Sequence, residues 1–162
     1  MKVLLIRFSS IGDIVLTTPV IRCLKEQVKG IGLHVVTKRS FQEIYENNPY
    51  VDKVLCLESS MNALVEKLKA ENYDRIVDLH NNLRSAQIKR ACSAPSSSFP
   101  KLNAKKLLKV LFKTTALPKE HIVDRYFLAT KGLNVENDNK GLDYFIPEKD
   151  IVAKESLPAE HR

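Results

Sequence analysis

Val3-Leu4-Leu5-Ile6-Arg7-Phe8-Ser9-Ser10-Ile11-Gly12-Asp13 is the stretch whose reading decides the fold. Its first four residues are a continuous apolar run with branched side chains, as expected for a strand covered on both faces of a parallel sheet. Ser9, Ser10 and Gly12 then make a small-residue turn, and beyond it Ile14, Leu16, Val20, Ile21, Leu24 and Val28 recur at helical spacing. A turn that ends a buried strand and opens a helix brings backbone N–H groups, a helix dipole and one carboxylate, Asp13, to a single point. Function is expected there.

Working outward, Thr18-Pro19 suits an N-cap followed by the first helical position, so the pattern is either a short turn and a main helix or one kinked helix. Gly30 and Gly32 stop it. Leu33 to Thr37 reads as the second strand, Ser40 to Asn47 as a short helix opened by a serine cap, and Val54 to Leu57 as the third strand. A helix carrying Leu64, Val65 and Leu68 follows Ser59-Ser60. Ile76 to Leu79 is the fourth strand, and Leu83 to Ala91 the next helix. Regular alternation of this kind argues for right-handed βαβ crossovers: an α/β fold with a Rossmann-like parallel sheet, helices on both faces, and ligands outside the carboxyl ends of the strands. Ala94 to Pro100 fits a loop or a short edge strand at 96–99. Lys101 to Lys113 reads as a basic amphipathic helix, His121 to Leu128 as a further helix closed by Gly132, and Leu142 to Phe145 as a strand. Residues 147–162 form a polar tail.

The 162 residues are 44% hydrophobic and 28% charged, which suits one α/β domain large enough to bury a core without disulfides. No apolar run approaches the roughly 20 residues of a spanning helix, and the amino terminus lacks a signal-peptide pattern, so a cytoplasmic location is expected. Cys23, Cys56 and Cys92 show no metal-ligand spacing and read as buried free thiols. The net charge of +7 points to an anionic partner: a phosphorylated small molecule, a membrane surface or nucleic acid.

Asp13 reads equally well as a helix-capping carboxylate or as a catalytic one. Ser9 and Ser10 suit turn formation or hydroxyl donation to a ligand, and Gly12 backbone geometry. The turn is neither a P-loop nor a G-x-G-x-x-G fingerprint, which weakens any nucleotide reading of it. Asp78-Leu79-His80-Asn81-Asn82-Leu83-Arg84-Ser85 follows the fourth strand, so its polar side chains are expected in the same crevice as Asp13. His80 suits proton transfer or positioning, while Asn81, Asn82 and Arg84 suit a polyhydroxyl or anionic ligand. The lysine-rich segment reads as a solvated face, an anion or membrane patch, or a nucleic-acid contact.

Arg7 to Val15 followed by Thr18-Pro19, then Asp78 to Ser85, then His121-Ile122-Val123-Asp124-Arg125-Tyr126, resemble in order the amino-terminal half of family 9 glycosyltransferases, the lipopolysaccharide heptosyltransferases. The resemblance implies a GT-B architecture: two Rossmann-like domains across a cleft, with inverting, metal-independent transfer of a sugar from a nucleotide donor. Residues 1–150 would be the amino-terminal acceptor-binding domain and 151–162 the start of an interdomain linker. The carboxyl-terminal donor domain would be absent from this chain, leaving it inactive alone.

By the same resemblance Asp13 is the general base, and Ser9, Ser10, Gly12, His80, Asn81, Asn82, Arg84, Lys101, Lys105 and Lys106 are acceptor contacts. The expected partners are an anionic lipopolysaccharide core and a nucleotide-sugar such as ADP-heptose, with no cofactor and no metal. Peripheral contact with the cytoplasmic face of the inner membrane is also implied, and no nucleic acid. Transfer of another sugar, or a non-catalytic domain binding anionic membrane or nucleic acid, are the competing readings.

Overall fold

At the centre of the molecule lies β1 (Lys2–Ile6), flanked by β2 (Gly32–Lys38) and β4 (Arg75–Asp78), with β3 (Lys53–Leu57) and β5 (Ser96–Ser98) at the edges. The computed structural model describes residues 1–100 and 121–152. The order β3-β2-β1-β4-β5 is parallel at every pairing, and Leu5 of β1 stands opposite both Val35 and Val77. A central strand needs apolar side chains on both faces, which is why Val3 to Ile6 show no alternation.

The two faces build two cores. Val3, Leu5, Val35 and Val77 pack with Val20, Ile21 and Leu24 of α2 (Thr18–Gln27) and with Tyr126 further along the chain. Leu4, Ile6, Val36 and Ile76 pack on the other side with Leu64, Val65 and Leu68 of α4 (Met61–Ala70) and Ile88 of α5 (Leu83–Cys92). Each fully buried aliphatic side chain contributes about 1.5–3 kcal/mol of transfer free energy. The sheet is thus clamped from both faces.

Three local details depart from the sequence pattern. After β1 the chain makes a short α1 (Ile11–Val15) and then α2, so the break at Thr17-Thr18 separates two helices; Thr17 holds the N-cap position and Pro19 sits inside the first turn of α2. The helix expected from Ser40 is a 3₁₀ turn, Arg39–Phe41, leading into α3 (Gln42–Glu46), whose N-cap is Phe41; Ser40 lies inside the preceding turn and caps nothing. Residues 142–145 do not join the sheet. The Asp143 amide donates to Thr18 Oγ1 at 2.9 Å, so a side chain of α2 satisfies a group that a ladder would otherwise have used, and the Asp143 carboxylate pairs with Arg22. Phe145 meets Tyr50 edge to face at 6.1 Å, while Leu142, Tyr144 and Ile146 point outward.

Arg22 explains how a charge sits on an apolar helix face. The residue is 2% exposed, and its guanidinium donates through Nε and Nη2 to Asp138 at 2.8 Å, through Nη2 to the Gly141 carbonyl at 3.0 Å, and through Nη1 to Asp143. A buried cation with several such partners is compensated, and it staples segment 138–143 onto α2. Of the three thiols only Cys23 is fully buried; Cys56 and Cys92 are partly exposed, and burial pushes all three up in pKa. They are poor nucleophiles. The helix α6 (Ile122–Phe127) follows His121, whose Nδ1 accepts the Val123 amide at 3.3 Å, and a 3₁₀ turn, Leu128–Thr130, closes it.

Candidate active site

The carboxyl ends of β1, β2, β3 and β4 open on one edge, where the turn after β1 and the loop after β4 lie. Phe8, fully buried, is the hub. Its carbonyl accepts the Lys38 amide at 3.4 Å, extending the β1–β2 pairing, and its ring meets the edge of His80 at 5.3 Å.

Asp13 lies at the third position of α1 with its side chain 38% exposed. Three donors converge on one of its oxygens: Arg7 Nη2 at 2.6 Å, Ser10 Oγ at 2.9 Å and the Ser10 amide at 3.3 Å all reach Oδ2. The last of these is the reciprocal half of a capping box, so Asp13 both secures α1 and faces the crevice. Burial pushes its carboxyl up, but the Ser10 hydroxyl, the Arg7 charge and the Ser10 amide outweigh that and hold it below the usual carboxylate value. Asp13 is therefore ionised at neutral pH and has the charge of a base.

Arg7, unassigned in the sequence reading although part of the quoted stretch, carries this arrangement. Its guanidinium is buried, donates through Nη1 to the Leu79 carbonyl beyond β4, and lies 5.7 Å from the centre of the Tyr126 ring. Tyr126 is in turn 1% exposed and edge-on to Phe99 at 5.0 Å. Burial raises its phenol, Arg7 opposes this, and Asp13 reinforces it both by its charge and by a hydrogen bond from the phenol.

Gly12 does not serve the geometry expected of it. Its backbone is helical rather than left-handed, and a Cβ built there would meet nothing within 4 Å. The fold requires no glycine at this position. The space above it is open.

The loop after β4 is held together largely from within. Asp78, fully buried rather than lining the crevice, accepts the His80 and Asn81 amides at 3.0 and 2.7 Å through Oδ1 and pairs with Lys89 at 2.8 Å through Oδ2. The Asn82 carboxamide caps α5 by accepting the Ser85 amide at 3.0 Å, and Asn81 donates to the Phe99 carbonyl at 3.0 Å. Arg84 lies differently. With Lys38, Arg39, Ser40, Leu57 and Glu58 it lines an open hollow of about 490 Å³ at the ends of β2 and β3. Lys38, Arg39 and Ser40 were missed in the sequence, although the carboxyl-end rule that singled out the β4 loop applies equally to residues directly after β2. Lys101, Lys105, Lys106 and the basic helix expected over 101–113 lie outside the described residues.

A second hollow, of about 430 Å³, lies against edge strand β3 beside Lys53, Cys56 and Glu71, away from Asp13. Among the described residues no group of three His, Cys, Asp or Glu side chains is placed to hold a metal ion, and no helix is long and apolar enough to cross a membrane.

The signature of glycosyltransferase family 9 (heptosyltransferase) matches residues 61–160, more than half of the chain. The chain belongs to glycosyltransferase family 9. Among its relatives in this family, lipopolysaccharide heptosyltransferase 1 of Campylobacter coli is 28% identical over 163 residues, covering 97% of this chain and 46% of that protein. The protein of the same name from Pseudomonas aeruginosa is 26% identical, over 91% of this chain and 44% of its own length. A family 9 glycosyltransferase structure from Veillonella parvula superposes with a TM-score of 0.72 at 23% identity, over 91% of this chain and 46% of that one. Escherichia coli heptosyltransferase WaaC, solved with ADP-2-deoxy-2-fluoro heptose, matches with a TM-score of 0.66 at 25% identity, over 88% and 51%. The fold is that of one Rossmann-like half of a GT-B glycosyltransferase. The chain spans about half the length of the curated relatives it matches.

Proposed function

We propose that this chain is the acceptor-binding half of an inverting heptosyltransferase that adds a heptose from ADP-heptose to the lipopolysaccharide inner core, with Asp13 as general base. The observation that carries the reading is an ionised Asp13 held by Arg7 and Ser10 on the open carboxyl edge of a family 9 fold. In the reaction the acceptor O–H bond breaks and its proton passes to Asp13. The freed oxygen forms a bond to the anomeric carbon, and the bond from that carbon to the diphosphate breaks on the opposite face, its electron pair leaving with the nucleotide. A hydroxyl is a far weaker acid than a carboxylic acid, so the proton moves as the new bond forms. Placement then matters more than a raised pKa.

Lys38, Arg39 and Arg84 around the hollow beside the loop suit the carboxylates and phosphates of an acidic core sugar, with Ser9, Ser10, His80, Asn81, Asn82 and the lysines at 101, 105 and 106 completing the acceptor side. The donor nucleotide is held mainly by residues outside this chain, and the reaction uses no resident metal. The protein works in the cytoplasm, against the inner face of the membrane that carries its acceptor.

In the intact transferase, Asp13→Asn should lower kcat by about 10²–10⁴-fold with folding preserved, the magnitude for loss of a general base. Unchanged turnover in a folded variant would remove Asp13 from the role. The 162-residue chain alone, given ADP-heptose and acceptor, should form no product. A panel of nucleotide-sugars offered to the intact protein separates heptose transfer from transfer of another sugar.

A further inference from the structure

We propose that Arg7 is a positioning residue for the base: clamped between the Leu79 carbonyl, the Tyr126 ring and Asp13 Oδ2, it fixes the carboxylate so that Oδ1 is the oxygen presented to the acceptor hydroxyl. This rests on the reading of Asp13 as the base and adds which of its atoms reacts and what holds that atom in place.

The geometry is specific to a guanidinium. Nη1 is committed to the Leu79 carbonyl beyond β4 and Nη2 to Asp13 Oδ2 at 2.6 Å, while the carbon between them lies 5.7 Å from the centre of the Tyr126 ring. One planar, permanently charged fork thereby fixes the β1 loop relative to β4 and α6. The Ser10 hydroxyl and amide add donors at 2.9 and 3.3 Å to the same Oδ2. An oxygen receiving two hydrogen bonds and an ion pair has its lone pairs engaged, so Oδ1 has the greater capacity to take the proton, while the Tyr126 phenol also hydrogen-bonds the carboxylate. As the acceptor O–H breaks, that proton goes to Oδ1, and Arg7 keeps its own protons throughout.

Burial of the guanidinium makes the clamp rigid. Arg7 is 6% exposed, and an ion pair in such a setting is screened little by salt. The titratable groups bordering it are Asp13 on its own loop, Tyr126 on α6, and Tyr45 on α3, whose phenol is fully buried and bonded to Thr17 at 3.2 Å. None of these phenols ionises near neutral pH, so among the described residues Arg7 is the cation that lowers the Asp13 pKa.

The inference is tested first without catalysis, by following the Asp13 carboxyl ¹³C shift against pH in the 162-residue chain. Arg7→Gln should raise the Asp13 pKa by about one unit, the low end of what an adjacent arginine does, whereas Arg7→Lys, keeping the charge without the fork, should raise it much less. In the intact transferase the acid limb of the pH–kcat profile should move up by the same amount in Arg7→Gln. In Arg7→Lys the limb should stay in place while kcat falls by about 10²-fold, as for a misplacement on the order of 1 Å. If Arg7→Gln does not fold, Arg7→Lys carries the test by its unmoved acid limb and its lowered kcat. A folded Arg7→Gln whose Asp13 titrates as before overturns the proposal, as does an Arg7→Lys enzyme of full kcat. Unchanged turnover in Asp13→Asn would instead defeat the base assignment, leaving the ion pair intact in the titration.

Discussion

Gly12 shows how a single residue separates the demands of the fold from those of the ligand. A glycine in a helical conformation with open space where its Cβ would stand is not needed for packing or for backbone freedom. Gly12→Ala should therefore leave stability unchanged or raise it by up to about 1 kcal/mol, since alanine is the better helix former. If the acceptor approaches Asp13 over this position, the added methyl should raise the acceptor KM of the intact transferase, read by initial rates over acceptor concentration alongside thermal unfolding. An unchanged KM would place the acceptor elsewhere on the edge. Asp13 was legible in the sequence as a residue at the right place, because its position depends only on the order strand, turn, helix. What holds it was not legible: Arg7 meets Leu79 across 72 positions of sequence and Tyr126 across a longer separation still, and no local pattern encodes those contacts.

At the scale of elements, the periodic ones were readable and the ones held by side chains were not. Continuous apolar runs marked β1 to β4 because a parallel sheet buries both faces of each inner strand, and the pattern of Leu64, Val65 and Leu68 marked α4 because one face meets that sheet. The stretch 142–145 reads as a strand in the sequence, yet its inward residues, Asp143 and Phe145, are anchors for Arg22, Thr18 and Tyr50 rather than ladder members. The β4 loop has the same lesson for function. Asn82 was singled out as a ligand contact, and its carboxamide accepts the Ser85 amide at 3.0 Å as the N-cap of α5 while the Ser85 hydroxyl accepts the Asn82 amide at 2.9 Å. Asn82→Ala should lower stability by about 1 kcal/mol, and Asn82→Asp, which keeps a capping oxygen, should restore most of it. Urea unfolding of the two variants measures this, and equal losses would show that the cap is not what the carboxamide contributes.

Across the whole molecule, the sheet divides its charges between two edges: the base stands at the carboxyl end, and a structural ion cluster stands at the amino end. Glu71, just past α4, bonds Lys53 of β3 and, at 2.9 Å, Lys2 of β1, and lies 3.8 Å from His34 of β2. Its hydrogen bonds from Lys53 and Lys2 outweigh burial and pull its carboxyl from the ordinary 4.5 down to about 2. Nearby, burial pushes Asp52 up, but Lys25 at 2.6 Å and the Leu33 amide at 2.7 Å hold it below its usual value. Carboxylates with folded pKa values below their unfolded ones bind fewer protons folded than unfolded. Their stabilisation is thus fully present above the unfolded values and lost as pH falls through the folded ones. For Glu71 that window runs from about pH 4.5 down to about pH 2. His34, whose pKa burial lowers despite the pull of Glu71, adds a loss that begins higher, below its ordinary 6.5, because the unfolded imidazole takes up its proton first. Glu71→Gln should lower the urea midpoint at pH 7, where Lys2 and Lys53 lose their shared partner, and should flatten the decline of stability between pH 4.5 and 2, so that variant and parent converge at the acid end. Because the cluster lies at the edge opposite Asp13, kcat of the folded variant in the intact transferase should not change. A variant with the parent's acid slope would show that other groups carry the pH dependence, and one with altered kcat would show that the two edges of the sheet are coupled.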